Sequence, residues 1–294
     1  MNDLSFMWLE ITGKCQLQCT HCYAESGPGG TDGAMVPADW KSVIDQAAGL
    51  GVEMVQFIGG EPTLHRSLPD LVDRAVGLGL RVEVFSNLVH VTPHLWDVFA
   101  QPGVQLATSY YSDQAGEHER ITKGRGSHKR TQDNIVEALR RSIPLRVGVI
   151  DLGDGQRVDQ ARAELAALGV DGEVRVDRLR GVGRGVRAAA PDTSQLCGGC
   201  ARGKVAVAAD GSVWPCVFSR WLPVGNVRVD PLVEILNGRA MLDTEAILAE
   251  QFSSGPVFPC VPNMCDPQCG PSCSPACSPA NNCTPVGACV PSEY

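Results

Sequence analysis

Apolar positions fall along this chain in two alternating rhythms. Short apolar runs predict strands at Met7–Ile11, Val52–Ile58, Arg81–Phe85, Val104–Ser109, Leu145–Ile150 and Glu173–Val176. The segments between most of them predict helices at Asp39–Leu50, Leu68–Leu78, Asp133–Arg141 and Arg157–Leu168. In the first of these helices Trp40, Val43, Ile44, Ala47 and Leu50 recur at helical spacing. Strand and helix in alternation predict an α/β fold with a parallel sheet covered by helices. Parallel barrels carry their chemistry at the C-terminal ends of strands. Four polar or small motifs sit at such ends: the loop from Cys15, Gly59-Gly60-Glu61-Pro62, Ser86-Asn87, and Ser109.

Composition narrows the class. The 294 residues suffice for one large domain and a smaller one. The net charge of −8 gives no support to a nucleic-acid partner. No apolar run approaches the roughly 20 residues that cross a bilayer, and no secretory signal pattern opens the chain. Cysteine is the anomaly: of 13, three lie near the start and ten from Cys197 onward. In a long chain without a signal, such usage points to metal clusters in a reducing cytoplasm rather than to disulfides.

Cys15, Cys19 and Cys22 stand at Cys-x3-Cys-x2-Cys spacing just after the first strand. Three thiolates on one loop can hold three irons of a [4Fe-4S] cube, leaving the fourth iron open to a small molecule. A zinc site, a disulfide with a spare thiol, or buried structural cysteines are the alternatives. Zinc favours two Cys-x2-Cys or Cys/His pairs, and this stretch holds one.

This loop, with His21 at the aromatic position before its last cysteine, resembles the signature of the radical S-adenosylmethionine superfamily. The resemblance implies an open six-stranded (β/α) barrel, a partial TIM-type fold, over residues 1–187, followed by a small cysteine-rich domain over 188–294. It implies that the open iron binds the amino and carboxylate groups of S-adenosylmethionine, whose reductive cleavage gives a 5′-deoxyadenosyl radical that abstracts hydrogen from a substrate. Gly59, Gly60, Glu61 and Pro62 resemble the segment that meets the cofactor's amino group, with Tyr23 beside the cysteines. Ser86 and Asn87 match positions that reach a ribose hydroxyl, and equally suit a turn or helix cap. Ser109 and Arg130 stand where the family binds the cofactor's carboxylate, which an arginine can pair bidentately.

Arg180-Gly181-Val182-Gly183-Arg184-Gly185 lacks the Lys and Ser/Thr of a phosphate loop, and reads as a glycine-rich turn around the last barrel strand. Ala188–Pro191 marks a linker. Beyond it, Asp210-Gly211 between apolar residues predicts a hairpin that brings Cys200 and Cys216 together. Cys200-x10-Gly211-x4-Cys216, with Cys197 just before it, resembles the opening of a SPASM domain, which holds one or two auxiliary [4Fe-4S] clusters. Val224–Val227 and the helical run Pro231–Leu236 also resemble that domain. The tail departs from its pattern: after Cys260 the cysteines are separated by four, three, three, three, five and five residues, with no Cys-x2-Cys. Cys260, Cys265, Cys269, Cys273 and Cys277 are the expected ligands, with Cys283 and Cys289 spare or substituting for a neighbour. Prolines through this stretch exclude one continuous helix.

Together the resemblances imply a radical enzyme acting on a ribosomally made peptide, by crosslinking or epimerisation, with flavodoxin or ferredoxin as electron donor. The chain starts at the first barrel strand, so a separate leader-recognition protein or direct capture of a short substrate is expected. A dehydrogenase or maturase of a small molecule or protein side chain is the second expectation, and a non-catalytic metal-binding scaffold the third. The catalytic acid or base is not legible in the sequence.

Overall fold

The computed structural model describes residues 4–153, 155–171 and 174–253. Six parallel strands form its frame: β1 (Phe6–Thr12), β2 (Met54–Gly59), β3 (Arg81–Phe85), β4 (Val104–Tyr110), β5 (Leu145–Asp151) and β6 (Arg175–Arg178). They lie in chain order, each bonded to its sequence neighbour. Helices α1 (Pro37–Gly49), α2 (Leu68–Gly77), α3 (Pro93–Phe99), α4 (Ala115–Thr122), α5 (Ser127–Arg140) and α6 (Val158–Ala167) link and cover them.

Alternation explains the layering. On β1, Met7, Leu9 and Ile11 are fully buried, while Trp8, on the opposite face, lines a central cavity. Trp40, Val43, Ile44 and Ala47 of α1 are buried as their spacing predicts. Inside the curve of the sheet several of the facing residues are polar. Glu83 of β3 is fully buried and accepts hydrogen bonds from Gln56 of β2, from Gln105 of β4 (2.6 Å), and from Arg146 of β5 (2.7 and 3.2 Å). A buried carboxylate needs such partners, and Arg146 supplies the opposite charge.

The sheet does not close into a barrel. The far edge of β1 is taken by β7 (Lys204–Val207), which pairs with it in parallel from Phe6↔Lys204 to Leu9↔Val207. Strands β8 (Ser212–Trp214) and β9 (Gly225–Asn226) continue antiparallel, giving one nine-stranded sheet in the order β6-β5-β4-β3-β2-β1-β7-β8-β9. The cysteine hairpin expected beyond the linker is thus an extension of the barrel sheet. Helices α7 (Leu232–Asn237) and α8 (Arg239–Gln251) follow. None of the described helices is long and apolar enough to cross a membrane.

Candidate active site

Each parallel strand ends near one mouth, and the cysteine loop lies there. Residues 13–27 leave β1 and return beside it: Cys15 N–H donates to the Gly27 carbonyl (3.1 Å) and Gly13 N–H to that of Thr31 (2.8 Å). The amides of Gln18 and Thr20 donate to the Thr122 and Ile121 carbonyls (3.1 and 2.9 Å), the free C-terminal acceptors of α4. The third support is the glycine-rich turn. Arg184 Nε donates to the Cys19 carbonyl (2.8 Å), its NH2 group to that of Ser26 (2.7 Å), and its backbone N–H to that of Cys22 (3.0 Å). Gly183 has φ +56°, and a Cβ there would lie 2.3 Å from the Tyr23 carbonyl oxygen, so only glycine allows this approach.

Cys15, Cys19 and Cys22 are free and all line a cavity of about 170 Å³. Burial pushes the Cys15 and Cys19 thiols up to about 12, and the other cysteines of the loop act in the same direction. Thiols so placed ionise when a cation takes the thiolate. No group of three His, Cys, Asp or Glu among the described residues converges on a single ion. A cubane needs no such convergence, since each cysteine holds its own iron. Three adjacent soft ligands on a braced loop beside an open cavity fit that group.

Of the other expected residues, Tyr23, Gly59, Gly60, Asn87 and Ser109 also line the cavity. The glycines pack against the root of the cysteine loop: a Cβ on Gly59 (φ +134°) would lie 2.4 Å from the Thr12 carbonyl oxygen, and one on Gly60 2.1 Å from that of Lys14. The Asn87 and Gln16 amides pair reciprocally (3.0 and 3.2 Å), and Asn87 Nδ2 lies 3.6 Å from Cys15 Sγ. Pro62 opens a short 3₁₀ turn, Pro62–Leu64.

Glu61 lies behind this rim. Its carboxylate is fully buried and accepts from Thr63 N–H (3.1 Å), Thr63 Oγ1 (2.7 Å), Ser86 Oγ (2.7 Å) and Asn87 N–H (2.8 Å). Burial raises its pKa despite these donors. Ser86 is likewise buried, its hydroxyl held between Glu61 and the Leu88 amide (3.0 Å). Three of these donors fall on Oε1 and one on Oε2, and because the carboxylate is fully buried a ligand could reach it only if a neighbouring group moved.

Arg130 is not brought to the cavity. Helix α5 begins at Ser127, six residues before the predicted start, which leaves Arg130 exposed in its first turn and bonded to the Arg125 carbonyl (2.5 Å). The cavity's arginines are Arg146, Arg178, Arg180 and Arg184. Sequence reading missed their role, although Arg180 and Arg184 lay inside a glycine pattern whose close packing is itself a signal.

The second cysteine region reaches the same cavity. Its hairpin holds Cys200 and Cys216 buried, with sulfurs 2.9 Å apart, and Cys197 is near enough to act electrostatically on Cys216. Two residues on, Phe218 lines the cavity and meets the Tyr23 ring edge-on at 5.2 Å. Arg220 donates to both oxygens of Glu10 on β1 (2.8 and 2.7 Å) and stacks 4.4 Å from the Trp214 ring. Cys260, Cys265, Cys269, Cys273 and Cys277 lie outside the described residues.

Comparison with known proteins follows this geometry. A family profile described as the radical SAM superfamily matches residues 9–166. One described as an iron-sulfur cluster-binding domain, SPASM, matches residues 197–274. A curated relative from Bradyrhizobium diazoefficiens called PqqA peptide cyclase is 30% identical over 146 residues, 48% of this chain and 38% of the relative. One of the same name from Xanthomonas axonopodis pv. citri is 32% identical over 145 residues, with the same coverage. The match therefore spans well under half the length of these relatives. Among solved structures, Streptococcus suis SuiB bound to the precursor peptide SuiA superposes with a TM-score of 0.69 at 14% identity, over 82% of this chain and 66% of that one. The protein anSMEcpe with bound AdoMet and the Cp18Cys peptide gives 0.66 at 12% identity, over 83% and 82%. At these identities the likeness shows the fold.

Proposed function

The chain belongs to the radical SAM superfamily, and from that premise we propose an enzyme that modifies a peptide by radical chemistry. The observation that carries this reading is the convergence of three free cysteines, two strand-end glycines, Asn87 and Ser109 on one cavity at the C-terminal mouth of a parallel sheet. Cys15, Cys19 and Cys22 would hold a [4Fe-4S] cluster with S-adenosylmethionine at its fourth iron. When bound, that pair supplies a 5′-deoxyadenosyl radical able to take hydrogen from an unactivated carbon.

The chain's own residues position and shield. Gly59 and Gly60 keep the backbone low at the rim of the cavity, where they would meet the cofactor's amino group. Glu61 and Ser86 hold the Asn87 loop from behind, so Glu61 would serve the cofactor either directly, at its amino group, or through Asn87. Ser109 and Tyr23 complete the wall. Arg130 does not line the cavity, and Arg184 and Arg146, which do, would supply the cation in its place.

A peptide is the substrate class favoured by the relatives, since PqqA peptide cyclase is named for one and SuiB was seen with another. Crosslinking or epimerisation of that peptide is the reaction we assign, with a small electron-transfer protein as donor and a separate leader-recognition protein as partner. The thiols require a reducing compartment, for which the cytoplasm is the natural choice. Cys197, Cys200 and Cys216 would hold auxiliary iron together with cysteines of the tail.

Anaerobic reconstitution with iron and sulfide, then dithionite and S-adenosylmethionine, tests the reading by chromatography of the nucleoside product. The wild type is expected to form 5′-deoxyadenosine. The Cys15→Ala/Cys19→Ala/Cys22→Ala variant is expected to form none while keeping auxiliary iron. Nucleoside formed by that triple variant would remove the assignment.

A further inference from the structure

The glycine-rich turn after β6 does more than border the cavity. Arg184 fastens three carbonyls of one loop, those of Cys19, Cys22 and Ser26, through its side chain and its own backbone N–H. Those carbonyls bracket two of the three cysteines. Among the described residues no carboxylate pairs with Arg184, and its side-chain partners are carbonyls alone. Its full positive charge is therefore spent neither on an ion pair nor on bulk water: the residue is half-buried and lines the cavity. The charge bears electrostatically on both Cys19 and His21.

We infer that Arg184 is a positioning residue that locks the cysteine loop in its ligating shape and raises the reduction potential of the cluster held by Cys15, Cys19 and Cys22. Reduction adds a negative charge to a group already made anionic by its thiolates. A fixed cation nearby with no carboxylate partner among the described residues, in a medium of low dielectric, favours the reduced state. The two effects separate by substitution. Lysine keeps the charge but cannot reach two carbonyls with a planar fork, and methionine keeps bulk and loses both. The inference rests on the functional reading above.

The test is an anaerobic dithionite titration of the reconstituted full chain, followed by electron paramagnetic resonance. The signal that changes on adding S-adenosylmethionine identifies the first cluster. Chelator-driven iron loss is timed in parallel. For Arg184→Met the reduced-to-oxidised ratio at a fixed poise should fall about tenfold, a midpoint about 59 mV more negative for a one-electron couple, and iron should leave faster. For Arg184→Lys the midpoint should stay near wild type while iron still leaves faster. An Arg184→Met protein with wild-type midpoint and chelation rate overturns the inference. Should that variant not retain the cluster, Arg184→Lys decides: wild-type chelation kinetics would overturn the locking role, and a midpoint as negative as the tenfold shift would overturn the charge role. A wild-type protein with no S-adenosylmethionine-sensitive signal would instead sink the functional reading, and this inference with it.

Discussion

Glu61 sits fully buried behind the rim of the cavity. Four donors converge on a carboxylate that burial alone would disfavour. Its removal should be felt first as stability. Glu61→Gln sets an NH₂ donor against groups that are themselves donors, leaving a buried group unpaired at a cost of about 1–3 kcal/mol. A urea midpoint should fall accordingly, and S-adenosylmethionine affinity by calorimetry should fall with it as the Asn87 loop loosens. An unchanged midpoint with lost affinity would instead assign Glu61 to the ligand itself. The sequence announced the carboxylate, because Gly-Gly-Glu-Pro at a strand end is a local pattern. It was silent on Ser86, Thr63 and Asn87 as partners, since they meet only once β2 and β3 pair.

Elements show the same division between local and distant causes. All six parallel strands were legible, most of them as short apolar runs, although β6 (Arg175–Arg178) carries a single apolar residue, Val176. Three helices were not: α3, α4 and, beyond the parallel sheet, α8. α3 has seven residues and starts from a Thr-Pro cap, Thr92 Oγ1 accepting from Leu95 N–H at 3.3 Å, a signal that its periodicity is too short to reinforce. α4 hides because two of the three residues it buries are polar: His118 and Thr122 beside Ile121. That helix presents its last carbonyls to the cysteine loop, so missing it meant missing one brace of the site. The glycine-rich turn is the other. Gly183→Ala must place an L-residue at φ +56° with its Cβ against the Tyr23 carbonyl. The left-handed backbone alone costs about 1–2 kcal/mol, and relief requires the turn to back away from the loop. Reconstituted Gly183→Ala should hold less iron than wild type, with the deficit confined to the first cluster. Full loading would show that the turn is not needed as a brace.

At the scale of the molecule, the decisive contact is between β1 and β7. It closes the edge that a complete barrel would give to β6, and the Arg220–Glu10 pair reinforces it. Arg220→Ala leaves Glu10 buried without its cation, at a cost of about 3 kcal/mol, which a denaturant titration of the full chain would register. Ending the chain at residue 190 strips β7 from β1 and uncovers an apolar parallel edge, so that fragment should aggregate on expression; a soluble, monodisperse product by light scattering would show that the barrel half stands alone. The two-domain division drawn from the sequence does not anticipate this shared sheet, because parallel pairing between residues 6–9 and 204–207 leaves no local mark. The pairing also bears on the order of events during synthesis. β1 and its three cysteines leave the ribosome early, yet their neighbour on one side is made only after β6 and the Arg184 turn. Until then the cysteine loop lacks its frame on that side, and on the proposed reading its loading with iron and sulfide would fall after translation has passed residue 207.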